Sequence, residues 1–153
     1  IPLIAAGGIG TGKGMLAALT LGADGVQIGS RFVASLESSA HENFKNAVCE
    51  AKEGDTMLTL KELTPVRLLK SPFFHAVNEA YEKGASLEEL KTLLGRGRAK
   101  KGMFLGETQE GELEIGQISA NIDEIKSAKE IIDEIIAEYQ TELEKRTSNK
   151  YNF

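Results

Sequence analysis

The stretch PLIAAGGIGTGKGMLAALTLGADGVQIGS, residues Pro2 to Ser30, decides the fold. Its opening apolar run, Pro2 to Ala6, shows no polar alternation, the pattern of a parallel strand covered on both faces. Glycines follow, and then Met15, Leu16, Leu19 and Leu21 recur as on a helix packed against a sheet, stopped by Gly22. Val26 to Ile28 is a second short strand, ended by Gly29. Residues 2 to 29 thus make a strand, helix, strand unit with parallel strands, long enough for one crossover.

GGIGTGKG, Gly7 to Gly14, nearly spells a nucleotide-triphosphatase P-loop. That motif needs Ser or Thr directly after its lysine to reach magnesium, and here Gly14 stands there. Asp24 precedes its strand, the wrong end for a metal-holding acid. The dinucleotide fingerprint fails as well, because its third glycine would fall on Lys13 and no acid closes the second strand. Both strands end in glycine, however: Ala6-Gly7-Gly8 on the first and Gln27-Ile28-Gly29-Ser30 on the second. Neighbouring parallel strands place such turns side by side at their C-terminal ends, where TIM barrels bind phosphate in the loops after their last two strands. Gly7, Gly8 and Gly29 admit an anion close to the backbone, and Ser30 adds a hydroxyl donor. Lys13 is then a solvated helix side chain. Two tight βα turns without a ligand are the plain alternative.

A length of 153 residues supports one domain with a real core, and one folding unit is the expectation. With 41% hydrophobic and 27% charged residues and a net charge of -5, a basic nucleic-acid-binding surface is excluded, and a small-molecule partner is favoured. Cys49 is the only cysteine, no Cys/His cluster has zinc spacing, and no apolar run reaches the ~18 residues of a membrane span. This combination reads as cytoplasmic. Ile1 is not a methionine and the first residues already resemble a buried strand, so the chain is expected to be the C-terminal part of a longer protein.

Further along, Ser39 to Ala51 is helical, with Phe44, Val48 and Ala51 on one face. Thr56 to Leu60 and Val66 to Leu69 are extended, Pro65 holding its predecessor away from helix. Phe73 to Tyr81 and Ser86 to Leu94 are helical, the second opened by the capping box Ser86 and Glu89. Gly95, Gly97, Gly102, Gly106 and Gly111 mark a loop-rich stretch. Ile118, Ile122, Ile125, Ile132, Ile135 and Tyr139 then recur at helical spacing, which predicts one long amphipathic helix over 118–146 with a core-facing stripe. The predicted organisation is therefore α/β: 1–45 as the last two βα units of a barrel, 46–117 as a mostly helical accessory region, 118–146 as the C-terminal helix and 147–153 as a frayed tail.

AAGGI, then GADGVQIGSRF and AHENFK (Ala40 to Lys45), resembles the C-terminal part of the FMN-dependent nitronate monooxygenases, once called 2-nitropropane dioxygenases. The resemblance continues through PVRLLKSPF (Pro65 to Phe73), GMFLGETQEGELEIGQIS (Gly102 to Ser119) and into the final helix. The superfamily also contains the flavin-dependent enoyl-acyl-carrier-protein reductases. The resemblance implies the C-terminal portion of a TIM (β/α)8 barrel with FMN as cofactor. It implies that Gly7 and Gly8 give amides to the FMN phosphate, with Gln27, Gly29 and Ser30 completing that site. Gln117 falls in a motif that in relatives reads GQS near the flavin ring. Here Ile118 intervenes and displaces Ser119 by one position, so no catalytic residue is assigned within the chain. The family's catalytic histidine motif is absent from it.

The histidines read otherwise. His41 falls at a helix start, and His75 beside Phe73 and Phe74 in a helix, where packing is the default. Arg67 and Lys70 could line a substrate entrance or pair with an acid, with solvation the default, and the basic cluster Arg96 to Gly102, which could attract an anionic substrate, is offset by Glu107, Glu110, Glu112 and Glu114. The implied activity is flavin-dependent oxidation of alkyl nitronates by O2. An enoyl reductase and a non-catalytic phosphate-binding remnant are the alternatives. A nitronate or an enoyl thioester is the substrate in the first two readings, with no nucleic acid, membrane or metal involved and a homodimer compatible with either.

Overall fold

The computed structural model describes residues 1–148. The chain divides into two compact units where the sequence predicts one: residues 1–38 with 126–148 of the described chain, and residues 39–125. The split follows from burial, since 39–125 closes an apolar core of its own.

In the first unit, strands β1 (Ile4–Ala6) and β2 (Gly25–Gln27) pair in parallel, with Ile4 opposite Gly25, Ala5 opposite Val26 and Ala6 opposite Gln27. Helix α1 (Gly12–Thr20) connects them, giving the predicted strand, helix, strand order. Asp24, at the start of β2, accepts the Leu3 N–H at 2.7 Å and ties the N-terminal ends of the pair together. Contrary to expectation, β1 is not covered on both faces: Leu3 and Ile4 are exposed. A sheet of two strands with one connecting helix has too few neighbours to bury the apolar run. After β2 comes a single helical turn, α2 (Ser30–Val33), and the unit is completed by α6 (Ala128–Thr147). Ser127 and Glu130 cap α6 reciprocally, and Glu37 accepts the Ala128 N–H at 2.8 Å. Ile131 and Ile135 supply its buried face together with Ala34.

The long helix therefore starts ten residues later than the start predicted at Ile118. Gln117–Asn121 is instead a 3-10 turn, and Ile122 is buried in extended backbone. Ser127 is the stronger start signal, because its hydroxyl and Glu130 satisfy amides that an uninterrupted helix would have to bond internally. The predicted frayed tail falls largely on 149–153, outside the described residues; Thr147 ends the helix.

In the second unit, α3 (Glu42–Glu50) leads to an antiparallel hairpin of β3 (Thr56–Thr59) and β4 (Val66–Leu69). Helices α4 (Pro72–Glu82) and α5 (Leu87–Leu94) follow, at the predicted places and with the predicted capping box at Ser86. Leu60, Leu68, Phe73, Phe74 and Val77 form the core. The glycine-rich stretch then contains a π-helical turn at Lys100–Phe104. Among the described residues no helix is long and apolar enough to cross a membrane.

Candidate phosphate site

Strands β1 and β2 bring Gly7, Gly8, Gln27, Gly29 and Ser30 to their shared C-terminal end. Ala6 and Gln27 are the last register partners, so both turns leave the sheet at the same level. Gly7 and Gly8 take φ of +87° and +70°, the left-handed region in which a side chain costs about 1–2 kcal/mol. Neither is crowded. A Cβ at either, or at Gly29, would meet no heavy atom within 4 Å. The three glycines thus line open space against bare backbone, the shape that an oxyanion needs to reach peptide amides. Gln27 is exposed beside them, and Ser30 begins α2. The residues present fit a phosphate.

The second half of the glycine motif is built for another purpose. Thr11 caps α1, its hydroxyl accepting the Gly14 N–H at 3.1 Å. The Glu138 carboxylate on α6 accepts the amides of Gly12 at 2.6 Å and Lys13 at 3.3 Å. The amides a P-loop would turn toward a triphosphate are therefore occupied by the chain's own groups. Lys13 is largely exposed, as predicted, but not simply solvated: its ammonium lies 3.7 Å from Glu138 and 3.9 Å from Glu142. A Cβ at Gly12 would stand 2.3 Å from the Tyr139 nitrogen and 2.4 Å from the Ile135 carbonyl oxygen, so that glycine is required by helix packing.

Next to Ser30, sequence reading passes over Arg31, which is buried and ion-paired at 4.0 Å with Glu134. Glu138 is missed for a plain reason. It reads as one more polar residue between apolar positions of a helix, and nothing in its neighbourhood announces amides 126 residues away in sequence.

In the second unit, Gln117 is exposed at the head of the 3-10 turn, while Ser119 is sealed, with no solvent exposure and no hydrogen-bond partner for its hydroxyl. A hydroxyl so enclosed does not meet a substrate. His41 does start a helix: its Nδ1 accepts the Asn43 N–H at 3.1 Å and its ring packs on Gly106, where a Cβ would fall 2.2 Å from Nδ1. His75 is exposed, its ring set edgewise against Phe74. Arg67 donates to Thr56, at 3.2 Å to both its carbonyl and its hydroxyl, and so closes the hairpin where solvation was expected. Arg98 of the basic cluster donates to the Leu93, Leu94 and Glu110 carbonyls and lies over the Phe73 ring. Lys101 sits 3.7 Å from Glu107 and 3.9 Å from Glu110, so the predicted offset is local pairing. A cleft of about 350 Å³ is lined by Glu50, Asp55, Lys70, Ser71, Thr108 and Leu113 among others, and includes none of the predicted site residues.

Paired glycine turns at the C-terminal end of parallel strands define an α/β protein with a candidate phosphate site. The family described as Nitronate monooxygenase matches residues 1–138, and the chain belongs to that family. The family is one of flavin-dependent oxidoreductases, and a flavin cofactor is supported for the chain. A "Probable nitronate monooxygenase" of Staphylococcus saprophyticus is 44% identical over 81 residues, which are 52% of this chain and 22% of that protein. Among solved structures, FabK from Thermotoga maritima is 39% identical with a TM-score of 0.88, covering 95% of this chain and 46% of that one. The nitroalkane oxidase from Streptomyces ansochromogenes is 28% identical with a TM-score of 0.73, covering 97% and 42%. The chain spans less than half the length of these relatives.

Proposed function

We propose that the chain is the C-terminal portion of a TIM barrel and holds the phosphate of FMN in an oxidoreductase of the nitronate monooxygenase type, which oxidises alkyl nitronates with O2. The observation that carries this is the open, left-handed Gly7-Gly8 turn level with the Gly29-Ser30 turn on the adjacent strand. Backbone amides of Gly7, Gly8 and Gly29 would receive the phosphate oxygens, with Gln27 and the Ser30 hydroxyl completing the ligand set. When bound, FMN would supply the electron transfer between substrate and oxygen. The chain's own part is binding and orientation. A ring-side role for Gln117 rests on its motif and is a proposal of its own; Ser119 receives none. The general acid or base is assigned to no residue of this chain.

The second reading, a flavin-dependent enoyl-acyl-carrier-protein reductase, is favoured by the likeness to FabK, which exceeds that to the nitroalkane oxidase in both identity and TM-score. One preparation tests both. The complete natural protein is expected to purify yellow with FMN absorbance, and a colourless protein that takes up no FMN overturns the flavoenzyme reading. Turnover of propionate 3-nitronate with O2, set against an enoyl thioester with a nicotinamide donor, separates the two activities. Bound FMN without either turnover leaves a phosphate-binding module.

A further inference from the structure

The start of α1 carries an arrangement that the proposed function does not use. A helix N-terminus attracts anions through its unpaired amides and its dipole. Here the anion comes from within the chain: the Glu138 carboxylate holds the Gly12 and Lys13 amides, while Thr11 holds that of Gly14. The contact has no slack, because the α6 backbone lies so close to Gly12 that not even a methyl group fits. Lys13 stands against the outer side of the same carboxylate.

Only Ile9, Gly10 and Thr11 separate this clamp from the Gly7-Gly8 turn. The other end of the turn is fixed by the pairing of β1 with β2. A glycine pair left to itself samples both signs of φ freely, and that freedom must be given up when a ligand is bound. Anchoring both ends removes much of it beforehand, which raises affinity without a new contact. Glu138 is a clamp and not a ligand: its charge is spent on amides and Lys13, and a bare carboxylate facing a phosphate would repel it.

We infer that Glu138 is a positioning residue, fixing the Gly7-Gly8 turn from α6 in the conformation that receives phosphate. This rests on the reading that the phosphate of FMN seats at that turn.

The test uses the apo form of the complete natural protein and compares FMN with riboflavin, which lacks the phosphate, by quenching of flavin fluorescence. Wild type is expected to prefer FMN. Glu138→Ala should weaken FMN binding about tenfold, equivalent to about 1.4 kcal/mol, and leave riboflavin unchanged. Glu138→Gln keeps an acceptor oxygen without the charge and should lose only about threefold, again for FMN alone. Equal losses for both flavins would mean general damage and overturn the inference, as would FMN affinity that is unchanged or raised in Glu138→Ala. Should that variant fail to fold, Glu138→Gln decides, and an FMN-to-riboflavin ratio equal to wild type overturns it. A wild type with no preference for FMN overturns the phosphate seat itself, and this inference with it.

Discussion

Gly7-Gly8 and Gly12 lie within six residues of one motif, yet glycine is needed at the two places for opposite reasons. At the turn, the backbone is left-handed and the space beside it is empty. At the start of α1 the backbone is ordinary helix and the space is already taken by α6. A glycine-rich stretch is therefore not one signal. One half leaves room for a ligand, and the other lets two helices meet.

The largest effect should come from the packed half. Gly12→Ala places a methyl group 2.3 Å from the Tyr139 nitrogen, and α6 must back away. A loss of about 3 kcal/mol is expected in chemical denaturation, at the upper end of overpacking costs. Gly8→Ala should cost about 1–2 kcal/mol, all of it conformational strain. A β-branched side chain there is worse, and Gly8→Val should abolish flavin retention by filling the anion's space. If Gly8→Ala proves the more damaging to folding, the contrast between the two halves is wrong.

The comparison extends to charges, one enclosed and one open. Burial raises the Glu112 carboxyl above its usual value, neighbouring Glu114 adds to the rise, and Arg98 opposes it. A raised folded value means that the protonated acid is the form the fold prefers. The stability it contributes is present at the low end of the carboxylate range and is lost as pH rises through the raised value. Glu112→Gln should therefore raise the thermal midpoint near neutral pH, with the gain disappearing below about pH 4. Lys13→Ala should do least, since its ion pairs are long, at 3.7 and 3.9 Å, and its own side chain is exposed. A change within about 0.5 kcal/mol and unaltered flavin binding are expected. Loss of flavin from Lys13→Ala would return the P-loop reading.

What was legible in the sequence was local. The two parallel strands, the extended pieces that become β3 and β4, and α4 and α5 all follow from apolar spacing, Pro65 and a serine cap, interactions completed within a few residues; the pairing of β3 with β4 does not. The glycine turns of the candidate site belong to the same class, because left-handed backbone is a property of two neighbouring residues. The start of α6 was misplaced because Ile118, Ile122 and Ile125 match its period while lying outside any α-helix; Ile122 is buried and the other two are partly covered, so packing, not helix, accounts for the pattern. Glu138, Arg31 with Glu134, and the tight seat at Gly12 were illegible because each is a meeting of residues remote in sequence, which a single chain's pattern does not record.

The first unit is assembled from two ends of the sequence, with a continuous unit written between them. During synthesis its strands and α1 leave the ribosome long before α6 exists, whereas residues 39–125 can close as soon as they emerge. The bare start of α1 must wait through that interval with its partner still untranslated. A ribosome stalled after residue 125 would carry a finished second unit and an unfinished first one, so arrest in that window exposes the open first unit to proteases and chaperones.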